Sequence, residues 1–600
     1  SDRIRGDKAA NIERAIEGYE QALQVMTPQA MPADHLAVHR ALGGVLFDQR
    51  RYTESLTHDQ AVLATAEDLY TAAPTPEARR AILQEVGAAA PRLAFALCHT
   101  DGAAGSQQAV VVLEQNRARW LREALEMGVA RPANVAAPVW AVFQAQAQTV
   151  RELQAEAQLP DHTPGRRTFL ELSALLAAAR AELRSAVDAI RAVAPDFLPS
   201  PSLAQIQAAA QAGPLVYIAA TAAGGLALVV HSGGVATVWL DGLTEAALQT
   251  TIFGPNDDPA LGGYLGAYDR WRSNRTHDPV IRAAWRQALE DTTAWLWDVA
   301  MAPIVAHLVQ AGVGEAVLIP SGLLGLLPVH ASWTRQVSSP TKRHYALDSI
   351  TFRYAPSATA LAASQERRQH LAADGILAVD NPDGSLAFSG QEVAAALSHF
   401  APEQRLHLAG PSTTLDAVQA AVAGAPVLHF STHGQAGWGE PLQGGLLLAG
   451  NAELTLADML DMKLPNARLA VLSACETGVP GTKVPDEVIG LPAGLMQAGV
   501  AGVAASLWAV NDLSTARLME RFYQEWLDEG LSPAVALCRA QRWLRDVTRQ
   551  ELGDYYASSI SRMTPAEAQR AHAAIMLGGE PGDRPYSHPY YWAAFTFTGA

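Results

Sequence analysis

Cysteine is scarce in this chain of 600 residues. The three cysteines, Cys98, Cys475 and Cys538, are far apart and odd in number, which excludes a disulfide scaffold and favours a reducing cytoplasm. Positive charge is also in deficit, because 44 Lys and Arg residues stand against 60 Asp and Glu residues, for a formal net charge of -16. Since no run of Lys or Arg forms a phosphate-binding stripe, direct binding to nucleic acid is not expected.

Long apolar runs are missing as well. The longest, GVAGVAASLWAV at residues 499–510, is too short to span a bilayer. The first residues, SDRIRGDKAANIERA, are charged at once and show no secretory signal. We therefore expect a cytoplasmic protein that does not insert into a membrane.

The chain does have many apolar residues, 49% of the total, and this indicates a folded globular protein of several domains. Residues 1–150 show helical periodicity, with small and apolar residues three and four apart in IERAIEGYEQAL (12–23) and YTESLTHDQAVL (52–63). Both segments are typical of the second helix of a tetratricopeptide unit, although Ala22 and Ala61 are farther apart than the usual repeat of about 34 residues. A generic helical bundle remains an alternative. Residues 151–198 read as a helical bridge.

Beyond residue 199 the pattern changes to apolar strands joined by Gly-rich turns. We assign residues 199–365 to one subdomain and residues 366–600 to a second, in which strands and helices alternate. Near-continuous apolar strands of this kind indicate a mostly parallel sheet flanked by helices on both faces. The strands of the second subdomain include GILAVD (375–380), PVLHFST (426–432), RLAVLSA (468–474), GVAASLW (502–508) and WAAFTFTG (592–599).

Two of these strands end in residues that can carry chemistry, His433 and Cys475. Reactive groups gather just past the carboxyl ends of parallel strands. A metal site would need three or four ligands at recognisable spacing, and none is seen in the sequence. Two interpretations are left: buried structural residues, or a nucleophilic couple in which the imidazole serves the thiol. For such a couple, the backbone N–H groups of Gly434 and Cys475 are natural oxyanion donors.

Four segments of the chain resemble the CHAT family. They are LHFSTHG, LSACETG, DEVIGLPAGLMQAGVAGVAASLWAVND (486–512) and HPYYWAAFTFTG (588–599). CHAT proteins are caspase-like cysteine peptidases of the caspase, separase and gingipain clan, often fused to tetratricopeptide repeats. The resemblance covers roughly residues 200–600. It implies a caspase-like α/β fold in which residues 199–365 are an inactive companion subdomain and residues 366–600 are catalytic.

By the same resemblance, His433 is the general acid/base, Cys475 the nucleophile and Gly434 an oxyanion donor, with no metal or organic cofactor. The expected activity is that of a cysteine endopeptidase acting on a protein substrate. The helical region resembles a partner-sensing arm, which implies an activating protein partner. Prokaryotic relatives are linked to antiviral defence, in which a gasdermin-like pore former is cut. Two alternatives are kept: a catalytically silent interaction scaffold, and another cysteine hydrolase such as an amidase or transpeptidase.

Substrate selection is expected in the loops at residues 484–490 and 506–512. The carboxylates of Asp486, Glu487 and Asp512 could select Arg or Lys in the substrate. Trp508 could form a wall of the pocket. The alternative is an apolar pocket. Asp486 and Asp512 could instead cap the helices that follow them, and Trp508 could belong to the core. Glu476 could tune the couple or be a solvent-facing turn residue.

Overall fold

The computed structural model describes residues 7–73, 76–119, 121, 134–159, 163, 165–194, 201–255, 262–273, 278–438, 441–481, 485–557 and 565–600. By its internal contacts the chain divides into two compact units. The first comprises residues 1–206 together with 221–223, and the second comprises residues 207–220 and 224–600.

The first unit is helical. Its helices are α1 Lys8–Leu23, α2 Pro32–Asp48, α3 Tyr52–Ala72, α4 Pro76–Val86, α5 Ala89–Gln115, α6 Ala137–Gln158 and α7 Phe169–Arg191, followed by α8 Leu203–Ala209 at the border with the second unit. Helix α7 begins with a capping box, in which Thr168 accepts from the N–H of Glu171 and Glu171 accepts from the N–H of Thr168. The repeat character of the first helices stays a prediction.

Helices α6 and α7 form a hairpin with their own apolar core. Leu153 from α6 and Leu172 and Leu176 from α7 are buried in this contact. The role of this helical pair as a bridge stays a prediction. The predicted domain boundary at residue 198 lies outside the described residues, and the boundaries at residues 150 and 365 fall within helices.

The second unit is built on one large sheet of eleven strands in the order β3-β2-β1-β4-β7-β16-β15-β14-β10-β8-β9. The described strands are β1 Leu215–Thr221, β2 Gly224–His231, β3 Gly234–Leu240, β4 Glu315–Pro320, β5 Trp333–Arg335, β6 Arg343–Tyr345, β7 Thr351–Tyr354, β8 Ile376–Asp380, β9 Arg405–Ala409, β10 Val427–Ser431, β11 Gly434–Gln435, β12 Gly445–Leu447, β13 Glu453–Thr455, β14 Leu469–Ser473, β15 Gly502–Ser506 and β16 Phe595–Gly599. Most neighbours in the large sheet are parallel, while β2–β3 and β15–β16 are antiparallel. The predicted mostly parallel sheet is confirmed.

The helices of the second unit flank this sheet. They are α9 Glu245–Phe253, α10 Gly263–Ser273, α11 Pro279–Leu296, α12 Ala302–Gln310, α13 Ala346–Ser349, α14 Ala358–His370, α15 Ser389–Leu397, α16 Leu415–Val422, α17 Leu456–Asp461, α18 Leu491–Ala498, α19 Asp512–Tyr523, α20 Pro533–Asp546, α21 Arg549–Ala557, α22 Pro565–Leu577 and α23 Pro589–Trp592. Strands β8, β10, β14 and β15 are buried along their whole length, as expected when helices cover both faces.

The register of three parallel strands places their carboxyl ends at one level. Asp380 at the end of β8 pairs with Ser431 of β10, and Ser431 pairs with Ser473 of β14. The three strands therefore end at the same level, about 5 Å apart from one to the next. Their following loops leave the sheet side by side.

Two helical stretches of the described chain, Ala78–Gln115 and Pro279–Gln310, are long and apolar enough by length and composition to cross a membrane. In the most apolar 18-residue segment of the first stretch, 50% is buried inside the protein. In the corresponding segment of the second stretch, 44% is buried. Core helices of folded domains meet the same criteria, so this observation alone is weak evidence for a membrane span.

Candidate active site

His433 and Cys475 lie two residues past the ends of β10 and β14 and line the same cavity of about 390 Å³. Both strands are five buried residues long, so the chain must turn at these points to satisfy its backbone polar groups outside the sheet. Cys475 is partly exposed, whereas Cys98 and Cys538 are buried. The structure thus brings together the two residues that the sequence singled out.

The ring of His433 is held by the loop that follows β8. Its Nε2 lies 2.5 Å from the hydroxyl oxygen of Ser385, and that hydroxyl donates to Asp383 Oδ1 at 2.9 Å. Because the Ser385 proton is directed to Asp383, the Ser385 oxygen accepts from Nε2–H of His433. In the neutral ring this leaves Nδ1 without a proton and able to accept one.

Asp383 supports this arrangement electrostatically. Burial raises the pKa of its carboxyl, but the hydrogen bonds from Ser385 and the charge of His433 outweigh burial, and the pKa falls below its usual value. Oδ2 of Asp383 lies 3.7 Å from Nε2 of His433. Sequence reasoning missed both Asp383 and Ser385, although the Asp-Gly-Ser word at the carboxyl end of a neighbouring strand was a usable signal.

Gly434 lies against the loop that carries the cysteine. A Cβ at this position would come within 2.7 Å of the Cys475 carbonyl oxygen and 3.0 Å of Thr477 Cγ2. Gly434 lies opposite Leu446, and at the preceding position the N–H of Leu447 donates to the carbonyl of His433. In an antiparallel pair this pattern turns the N–H of Gly434 away from β12. This direction is compatible with the predicted oxyanion role, which stays a prediction.

The loop after Cys475 is fastened to the end of β15. The N–H of Ser506 donates to Thr477 Oγ1 at 3.1 Å, and the hydroxyl of Ser506 donates to the carbonyl of Ala474 at 2.6 Å. The N–H of Gly478 donates to the carbonyl of Ser506 at 2.7 Å. These bonds fix the backbone on both sides of the cysteine.

Glu476 is buried, with 3% of its surface exposed, so its interpretation as a solvent-facing turn residue is wrong. Its backbone adopts a left-handed conformation with φ of 60°, which costs about 1 kcal/mol for a residue with a side chain. Its carboxylate accepts from the hydroxyl of Tyr268 at 2.5 Å and from the N–H of Ala436 at 3.2 Å. Arg272 lies 3.4 Å away.

Of the four predicted pocket residues, Asp512 lines the cavity with His433 and Cys475. Burial raises the pKa of its carboxyl, the N–H of Phe388 opposes this at 2.9 Å, and the charge of Glu392 adds to it. The alternative that Asp512 caps the following helix is wrong, because Asn511 is the N-cap and accepts from the N–H of Ser514.

Asp486, Glu487 and Trp508 are not among the residues that line this cavity. Asp486 accepts from the N–H of Gly322 at 2.7 Å, and Gly490 rather than Asp486 precedes helix α18. Glu487 is buried. Trp508 is fully buried in the core and donates its indole N–H to the carbonyl of Tyr590.

Two other features of the cavity were not predicted. Glu392 of α15 adds a second carboxylate, buried to 2% exposure and 3.2 Å from the buried ring of His429. From elsewhere in the chain come cations and aromatic rings, namely Trp271, Arg282, Arg286, Tyr590 and Tyr591. In the part of the chain that the structure describes, no three His, Cys, Asp or Glu side chains are arranged to hold a metal ion.

Comparison with protein families matches residues 290–600 to the CHAT domain. The chain belongs to the CHAT family. This match confirms the resemblance to the CHAT family that was drawn from the sequence.

Solved structures that match the chain include the Arg-specific cysteine proteinase gingipain R, at 10% identity over 53% of this chain and 68% of that one, with a TM-score of 0.29. The pro- and mature domains of RgpB from Porphyromonas gingivalis match at 11% identity over 53% and 69%, with a TM-score of 0.29. The Saccharomyces cerevisiae separase–securin complex matches at 10% identity over 99% of this chain, with a TM-score of 0.41. The chain covers 48% of that structure's chain. A comparison with curated proteins found no match.

We predict that Gly434→Ala destabilises the protein by about 1–3 kcal/mol, because the added methyl group meets backbone of the cysteine loop. Urea unfolding followed by tryptophan fluorescence measures this change. Gly424→Ala is the matched control, since a Cβ there meets nothing within 4 Å and its effect should be small. Equal stability of the two variants would contradict the close contact.

We predict that Asp383→Asn lowers stability at pH 7 by up to about 1 kcal/mol, because the partly exposed carboxylate accepts two hydrogen bonds from Ser385 that a neutral amide accepts less well. The folded pKa of Asp383 lies below its unfolded value of about 3.9, so its contribution is present above that pH and disappears as pH falls through the folded pKa. Unfolding curves at several pH values between 2.5 and 7 test this. A gap that stays constant with pH, or the same gap for the exposed control Asp374→Asn, would contradict it.

Proposed function

We propose that this protein is a cysteine endopeptidase that cleaves a protein substrate with Cys475 as nucleophile and His433 as general acid/base. The observation that carries the proposal is that both side chains line one cavity while His433 is oriented by Ser385 and Asp383. A scaffold would have no need for this orientation of the imidazole.

The reaction follows from these positions. The sulfur of Cys475 attacks the scissile carbonyl, its proton passes to Nδ1 of His433, and the N–H groups of Gly434 and Cys475 receive the oxyanion. His433 then gives the proton to the leaving amine, and the C–N bond breaks to leave an acyl thioester. Water attacks that thioester, with His433 taking a proton, and the acid product leaves as Cys475 is reprotonated.

We also propose that the cavity selects Arg or Lys at the residue before the cleaved bond. Two carboxylates, Asp512 and Glu392, share the wall of the cavity, and the charge of one raises the pKa of the other. A cation that enters between them relieves this repulsion and pairs with groups that are already partly desolvated. An apolar substrate side chain would form no ion pair with either carboxylate.

Regulation is proposed from the family resemblance. In that resemblance the helical region receives an activating protein partner, and a gasdermin-like substrate and a role in defence are implied in the same way. These parts of the proposal can be tested with proteins encoded by neighbouring genes, offered together and singly.

The first test incubates the protein with such candidates, and with a denatured proteome digest, and maps new termini by mass spectrometry. Cys475→Ala and His433→Ala should each lower cleavage by at least about 10³-fold, since the two residues act as a unit. Cys98→Ala and His370→Ala are controls that keep the cavity residues. Cleavage that survives in Cys475→Ala would disprove the nucleophile.

The same experiment also distinguishes the alternatives when no cleavage is observed. A peptide-based thiol reagent that labels Cys475 without any cleavage would indicate a missing activator. If Cys475 is neither labelled nor needed, the protein is an interaction scaffold. Products whose mass differs from hydrolysis would instead indicate an amidase or transpeptidase.

The second test concerns selectivity. Asp512→Asn should reduce the preference for Arg over Ala before the cleaved bond by about tenfold or more, equal to about 1.4 kcal/mol in the transition state. The measurement is kcat/KM for matched peptide amides that differ at this position. Asp486→Asn is the matched control, because that carboxylate lies at Gly322 and should leave the ratio unchanged. If Asp486→Asn loses the preference for Arg as well as Asp512→Asn, the selection is not made by Asp512.

A further inference from the structure

Helix α10, which lies in the predicted inactive subdomain, reaches the candidate active site. Trp271 lines the cavity that contains Cys475, and Arg272 lines a neighbouring cavity of about 780 Å³ that contains the other side of His433. The same helix places Tyr268 between the loops that follow β14 and β15. A helix outside the predicted catalytic subdomain is thus in contact with the loops that carry the chemistry.

The hydroxyl of Tyr268 makes two bonds to two different loops. It donates to Oε1 of Glu476, the residue after the cysteine, at 2.5 Å. It accepts from the N–H of Ala509, which lies beyond the end of β15, at 3.0 Å. Tyr268 is buried at 3% exposure, and burial, with the nearby charge of Glu476, raises the pKa of its hydroxyl well above the usual value. The hydroxyl therefore remains a proton donor throughout the working pH range.

Glu476 extends the connection to the loop that carries the histidine. Its Oε2 accepts from the N–H of Ala436, three residues beyond His433, and faces Arg272. A buried carboxylate must have such donors, because an unpaired charge in the interior is strongly unfavourable. Since Glu476 is also in a left-handed backbone conformation, these bonds help to determine the direction in which the preceding residue, Cys475, projects.

We propose that Tyr268 and Glu476 are positioning residues that hold the cysteine loop in its reactive arrangement, so that helix α10 is a required part of the active site. The proposal rests on the proposed peptidase function and adds a residue pair that acts through the loops rather than on the reacting atoms. Tyr268 joins the loops after β14 and β15, and Glu476 joins the loops after β10 and β14. Loss of either residue should disturb the alignment of Cys475 with His433 while leaving the substrate cavity largely intact.

The test compares Tyr268→Phe and Glu476→Gln with wild type on a fluorogenic peptidyl-arginine amide. We expect kcat to fall about 10- to 100-fold while KM changes by no more than about twofold, since binding and alignment are separable. The pH profile for alkylation of Cys475 by iodoacetamide should move toward that of an ordinary thiol, whose pKa is about 8.5. The effect of the double variant should be smaller than the product of the two single effects, because Tyr268 and Glu476 share one hydrogen bond while each also makes a bond of its own.

Tyr264→Phe is the matched control. Tyr264 lies on the same helix, is equally buried at 3% exposure and packs against Trp285. The Tyr264→Phe variant should leave kcat and the alkylation profile unchanged. If Tyr264→Phe and Tyr268→Phe affect catalysis equally, the role of Tyr268 is only structural and the proposal is overturned.

Amide hydrogen exchange of residues 472–481 provides a readout that does not require activity. Exchange should be faster in Tyr268→Phe than in Tyr264→Phe, because one anchor of the loop is gone. If wild type neither cleaves nor reacts selectively at Cys475, the proposed function fails, and the exchange result alone decides whether the pair positions the loop. Unchanged exchange together with unchanged kcat would overturn the proposal.

Discussion

The candidate active site depends on the parallel register of β8, β10 and β14. Because Asp380, Ser431 and Ser473 lie at one level, the loops that follow them leave the sheet as neighbours. A shift of one residue in β10 would turn its side chains to the opposite faces of the sheet and carry His433 away from the other two loops. The chemistry of the site is therefore specified first by strand pairing, and the individual side chains refine it.

Around this register, the two predicted halves of the second unit both contribute to the cavity. The half with His433 and Cys475 supplies the carboxylates of Glu392 and Asp512. The half before residue 366 supplies Arg286, whose guanidinium lies over the ring of Tyr591 and donates to its hydroxyl. The half before residue 366 contains no catalytic motif, but its residues still line the cavity in which a substrate would bind.

Local sequence was sufficient for the strands and for the two residues at their ends, because buried parallel strands are short apolar runs and the chain must turn where they end. It was insufficient for contacts between distant segments. Glu476 is paired with a tyrosine 208 positions away, and Asp486 with a backbone N–H 164 positions away, so neither contact has a local signature in the sequence. The sequence interpretation considered Asp512 as the cap of helix α19, whereas the adjacent Asn511, a residue type that caps equally well, occupies that position.

Strand β16 is the last of the described strands in the chain, but it lies in the interior of the sheet, between β7 and β15. During synthesis, residues 595–599 are made after all of those other strands. Until then β7 and β15 lack the neighbour that joins them, and the sheet exists as two separate pieces. The cavity walls from both halves therefore cannot come together around this strand before residues 595–599 have been made, which delays the completed site until nearly all of these 600 residues exist.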